Sequence, residues 1–75
     1  MTATTALSRL LSLQDQSESF AVAITKHSGI GSDRLYTVTL HDYVSGLSAH
    51  GFGPTREEAA ERALDDARAK GMIDA

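Results

Sequence analysis

The sequence predicts one α+β domain spanning residues 1–75, in the order α-β-β-β-α, with a three-stranded antiparallel sheet and both helices packed on one face. Three observations predict this. Apolar and polar residues alternate with period two through 19–26 and again through 34–42. Short turns separate three strand-like segments, as in an antiparallel meander. A well-capped, alanine-rich helical pattern then runs from about 55 to 70.

The first helix is expected over about 4–13, with Leu7, Leu10 and Leu11 at i, i+3 and i+4 and Thr4 or Thr5 as cap. The polar run Gln14 to Ser19 reads as a loop. In the first strand, Phe20, Val22 and Ile24 point one way, and Ala21, Ala23 and Thr25 the other. His27 to Asp33, with Gly29 and Gly31, reads as a turn that tolerates positive φ. The second strand sets Tyr36, Val38 and Leu40 against Thr37, Thr39 and His41. Ser45 and Gly46 mark a tight turn, and 47–52 forms a weaker third strand. In the last helix, Thr55 and Glu58 have capping-box spacing. Glu57 and Glu58 suit the positive helix start; Arg68 and Lys70 suit its negative end. Ala59, Ala63 and Ala67, with Ala60 and Leu64 beside them, make a low stripe that lets the helix lie close to a sheet. Gly71 is a natural residue to follow the helix, with Met72 folding back over its last turn.

Composition narrows the function. The 75 residues include no cysteine, which removes disulfides and thiolate metal sites and fits a reducing, cytoplasmic setting. A core this small gains from association, so a homodimer or tight docking on a partner is expected. Ten acidic against seven basic residues give a net charge of -3, which argues against a general nucleic-acid binder. No signal-peptide pattern is read at the N-terminus. Leu7, Leu10, Leu11 and Leu13 are interrupted by Ser8, Arg9 and Ser12, and no run approaches a membrane span.

The junction at Gly51-Phe52-Gly53-Pro54-Thr55-Arg56-Glu57-Glu58-Ala59-Ala60-Glu61-Arg62-Ala63 resembles the double-stranded RNA-binding domain motif G-x-G-x-S-K-K-x-A-K-x-x-A. The glycines, the cap and the alanines match. Arg56, Glu57 and Ala60 stand where that family carries phosphate-binding lysines, and Ser32 aligns near its groove-entering histidine. The resemblance therefore implies the scaffold with most of the RNA chemistry missing. Tyr36-Thr37-Val38-Thr39 followed by Gly53-Pro54-Thr55-Arg56-Glu57-Glu58-Ala59 is also similar to the HicB-like antitoxin domain, although His41, Asp42 and Tyr43 replace its proline-containing segment. Each likeness covers about half the chain. In size and style the chain is also similar to short proteins of bacteriophages and mobile elements, some of which inhibit host defences such as CRISPR systems.

No cofactor, metal or catalytic site is expected. His41 and His50 lie on neighbouring strands and would face each other across the hairpin, with His27 remote. That falls short of the three or four converging ligands zinc requires. The serines lie in loops and caps, and Gly29-Ile30-Gly31 is too short for a dinucleotide fingerprint. Two surfaces remain. The outward sheet face carries Ala21, Ala23, Thr25, Thr37, Thr39, His41, Ser48 and His50 with no formal charge. The charged helix face carries Glu57, Glu58, Glu61, Arg62, Asp65, Asp66 and Arg68, with Glu58–Arg62 as an i,i+4 pair. Ala21, Ala23, Thr37, Thr39, His41, His50, Glu58, Glu61 and Asp65 are the expected partner-binding residues. The expected function is a non-catalytic module that inhibits or regulates a nucleic-acid-processing effector. The alternative is a degenerate duplex-RNA binder using Lys26, Arg34 and Arg56.

Overall fold

In a computed structural model, which describes residues 5–27 and 35–73, the chain follows the expected order. Helix α1 covers Ala6–Gln16, strands β1, β2 and β3 cover Phe20–Lys26, Tyr36–Asp42 and Ser48–Gly53, and helix α2 covers Arg56–Ala69. The sheet is antiparallel in the order β1-β2-β3, with both helices on one face. Thr4, Arg34 and the turn through Gly29, Gly31 and Ser32 lie outside the described residues.

α2 is the keystone. Thr55 accepts the Glu58 N–H at 3.1 Å, forming the Thr55 half of the expected box. At the far end, Gly71 takes φ 73°, its N–H reaches the Arg68 carbonyl at 3.1 Å and the Met72 N–H reaches the Ala67 carbonyl at 2.9 Å. That is a complete Schellman turn. Ala59, Ala60, Ala63, Leu64 and Ala67 are all buried against the sheet. Opposite them lie Ala49, Gly51 and Gly53. A methyl group on Gly51 would overlap the backbone of Ala59 and Ala63, so glycine is required there for the helix to approach.

The core is small. Leu10, Val38 and Leu40 are its largest fully buried side chains, flanked by Leu7, Leu13, Phe20, Val22, Tyr36, Met72 and Ile73.

Several local expectations are corrected. α1 runs on to Gln16, because Ser17 caps it by donating to the Leu13 carbonyl at 3.1 Å. Leu7 and Leu10 pack on the core as expected, but Leu11 is 41% exposed, and the stripe is completed by Ala6 and Leu13 instead. β3 begins at Ser48, since Leu47 closes the turn by accepting the Asp42 N–H at 2.9 Å. Arg62 donates to the Phe52 carbonyl rather than pairing with Glu58. Glu57 is not a free surface charge: its carboxylate accepts the N–H groups of Ala6 at 2.7 Å and Leu7 at 3.2 Å, capping α1 from α2.

Candidate protein-docking face

The register assembles the outward face in three rows: Ala21, His41 and Ser48; Ala23, Thr39 and His50; Thr25, Thr37 and Phe52. None of these side chains carries a formal charge with its histidines neutral. Each of the three histidines of the chain binds a hydroxyl on this side of the sheet. His27 Nε2 lies 2.7 Å from Thr37 Oγ1, His50 Nδ1 lies 3.1 Å from Thr39 Oγ1, and His41 Nδ1 lies 2.5 Å from Ser48 Oγ. The expected meeting of His41 with His50 does not occur. They sit on a diagonal, and each ring turns to the hydroxyl directly across from it. Among the described residues, no carboxylate orients any of these imidazoles, as a nucleophile's base requires, and no cluster has the ligands for a metal.

Aromatic residues mark both ends of the face. Phe52 is 45% exposed beside Thr37. At the other end, the Tyr43 ring meets the His41 ring edge-on, with centroids 4.6 Å apart. Sequence reasoning missed both, because Phe52 alternates with glycines and Tyr43 sits where a turn was expected. That turn is rigidly built. Asp42 accepts the Val44 N–H at 3.0 Å and the Ser45 hydroxyl at 2.9 Å, and Gly46 takes φ 77°. The Ser45 hydroxyl, followed by the Val44 N–H, holds the Asp42 carboxyl below its ordinary range. The tip presents Tyr43 and Val44 at 69% and 84% exposure.

The helix face is organised differently. Glu58 and Glu61 are exposed, while Asp65 is paired with Arg68 at 3.2 Å. An open groove of about 310 Å³ between the helices is lined by Ala6, Arg9, Glu61, Leu64, Asp65 and Arg68. The cations at this end of the sheet gather elsewhere. Lys26 Nζ and Arg56 Cζ stand 5.9 and 5.7 Å from the centre of the Tyr36 ring.

Comparison of the chain with protein-family models, curated proteins and solved structures finds no match. Among the described residues, no helix is long and apolar enough to cross a membrane.

Proposed function

We propose that the chain is a non-catalytic protein-binding module that docks through the open face of its sheet and so inhibits or regulates a nucleic-acid-processing effector. The observation that carries this reading is the composition of that face. It is uncharged, its histidines are oriented by cross-strand hydroxyls, and Phe52 and Tyr43 bracket it. Prearranged side chains of this kind lose little entropy on docking, and exposed aromatics supply anchoring area. Glu58 and Glu61 are exposed on the opposite, helix side, where an effector that extends around the molecule would meet them with a basic surface, as a nucleic-acid-handling surface is.

The test is photo-crosslinking in cells from a probe at position 23, with a second probe at position 61. Capture of a nucleic-acid enzyme from position 23, lost with Thr37→Arg while the fold is retained, is the expected result. Capture from position 61 alone would move the site to the helix face. A partner with no nucleic-acid role would overturn the effector reading.

A second reading, a degenerate duplex-RNA binder, is favoured by the meeting of Lys26 and Arg56 at Tyr36. Against it, Glu57 replaces a lysine of the related motif and is engaged in capping α1. We expect no saturable binding to a short RNA duplex at physiological salt. Micromolar, salt-sensitive binding would promote this reading.

A further inference from the structure

The two edges of the sheet are finished differently. The N–H of Asp42 bonds to the carbonyl of Leu47, so even-numbered residues of β2 pair with odd-numbered residues of β3. The backbone groups of Ser48, His50 and Phe52 therefore point outward. All three residues are covered from α2: Lys70 Nζ donates to the Ser48 carbonyl at 2.7 Å, Asp66 accepts the His50 N–H at 3.0 Å, and Arg62 donates to the Phe52 carbonyl. On β1, His27 bonds to Leu35 and Ser19 to Tyr43, so the odd-numbered residues face β2 and the even-numbered residues face outward. Here the end of α1 covers the first two outward N–H groups, with the Ser17 carbonyl accepting from Phe20 at 3.3 Å and Gln14 accepting from Val22 at 2.8 Å. Among the described residues, nothing partners the outward N–H and carbonyl of Ile24, and the Ile24 side chain is 40% exposed. β1 has no proline and no bulge, and its only charge is Lys26 near its end. Among the described residues, Ile24 itself has no proline, bulge or covering element of the kind that blunts an edge.

We propose that the β1 edge, from Ile24 through Lys26, is a strand-addition site whose occupant is the same segment of a second copy of this chain. Antiparallel pairing about Thr25 sets Ile24 opposite Lys26 of the second copy. Both pairs then exchange N–H and carbonyl groups, while Gln14 keeps Val22. On the open face, Thr25 meets its own counterpart, a favourable cross-strand pair. On the helix side, Ile24 lies along the aliphatic stem of the opposing lysine, and the two ammonium groups fall on a diagonal rather than face to face. The strand is thus complementary to itself in backbone, size and charge. The two sheets become one six-stranded sheet, and the two uncharged faces become continuous. The small core gives such pairing a further drive, because it adds apolar burial that one copy lacks.

Sedimentation across micromolar to millimolar concentration, together with amide exchange measured by NMR, tests this. We expect a monomer–dimer equilibrium. The Ile24 amide should exchange at least about tenfold more slowly at the high end of the range, and the Val22 amide should change little. Ile24→Lys, which sets a second ammonium group directly opposite Lys26 of the other copy, should give a monomer. N-methylation of the Ile24 amide, installed by chemical synthesis, should do the same while leaving the pairing to β2 untouched, and it serves where the lysine variant fails to fold. Thr39→Arg, at the centre of the open face, should leave the dimer intact, so the face reading and the edge reading fail separately. A monomer at all concentrations, or a dimer unaffected by both Ile24 changes, would overturn the proposal.

Discussion

β1 and β3 are the two edge strands of one sheet, and their sequences suggest the wrong ranking. β1, Phe-Ala-Val-Ala-Ile-Thr-Lys, has clean alternation and β-branched residues. β3, Ser-Ala-His-Gly-Phe-Gly, is short and carries two glycines. Yet β3 is held on its helix face and along its outer edge. α2 lies on its glycines, and Arg62, Asp66 and Lys70 bind its outer backbone. β1 is exposed from Ala23 onward, and on its outer edge only Phe20 and Val22 are covered, by Ser17 and Gln14, among the described residues. Side-chain propensity describes how a strand fits a pleated surface. It does not describe how closely another element can approach its backbone.

The largest expected effect follows directly from this. Gly51→Ala forces the Ala59–Ala63 segment of α2 off the sheet, because the new methyl meets backbone rather than a movable side chain. We expect a loss of about 3 kcal/mol or more, read from the urea midpoint. Gly46→Ala is the control. Nothing lies near a methyl there, and the cost is the left-handed backbone alone, about 1 kcal/mol. Equal effects at the two glycines would break the claim that close approach holds β3.

The same contrast explains what the sequence could reveal. The layout, the capped and alanine-striped α2, the Schellman turn and the outward set Ala21, Ala23, Thr37, Thr39, His41 and His50 were legible because each follows from a periodicity or a local cap. The charge on the edges was not. At β3 the guarding groups are Arg62 and Asp66, which read in the sequence as part of a charged helix face, and Lys70, which reads as a complement to the negative end of the helix. Glu57 was hidden for the same reason. Its partners, Ala6 and Leu7, are about fifty residues away and offer only backbone N–H groups, which leave no mark in a sequence.

α1 is the cover over β1, so its anchoring sharpens the comparison. Glu57→Ala removes the acceptor of the Ala6 and Leu7 N–H groups, leaving Thr5 to cap Ser8 at 3.1 Å, and should cost about 1 kcal/mol, with faster exchange confined to the first turn of α1. Glu58→Ala next to it should have little effect on α1. Thr55→Ala, which removes the α2 cap, should cost a similar 1 kcal/mol or so but loosen the α2 start instead. A Glu57 variant that loosens both helices equally would show that its role is not the specific cap.

The seal on β3 also predicts a pH dependence. The His50 N–H, followed by Lys70, holds the Asp66 carboxyl below its ordinary value. A carboxylate lowered in the folded state contributes stability that is present above its unfolded value and lost as pH falls through the folded one. Stability should therefore drop below about pH 4, and the His50 amide should lose protection in the same range. Asp66→Asn should flatten that part of the profile. An unchanged profile would place the acid sensitivity elsewhere, with Asp42 the next carboxylate to test.

The smallest effect is expected at the last covered point of β1 before its open stretch. Gln14 lies on α1 and accepts the Val22 N–H at 2.8 Å in an exposed position. Removing it with Gln14→Ala leaves a donor that water can reach, so the cost should be only about 0.5 kcal/mol. The more telling readout is local. The Val22 amide should exchange faster in the variant, approaching the behaviour of Ile24, while Ala21 and Ala23, whose backbone groups face β2, should not change. The variant also lengthens the open edge, so the second copy gains room to pair one step further along β1. Any dimer should then become tighter even as the isolated fold becomes slightly weaker. A Gln14 variant that weakens the dimer and the fold together would mean that Gln14 supports β1 rather than capping it, and the contrast between a sealed β3 and an open β1 would lose its clearest marker.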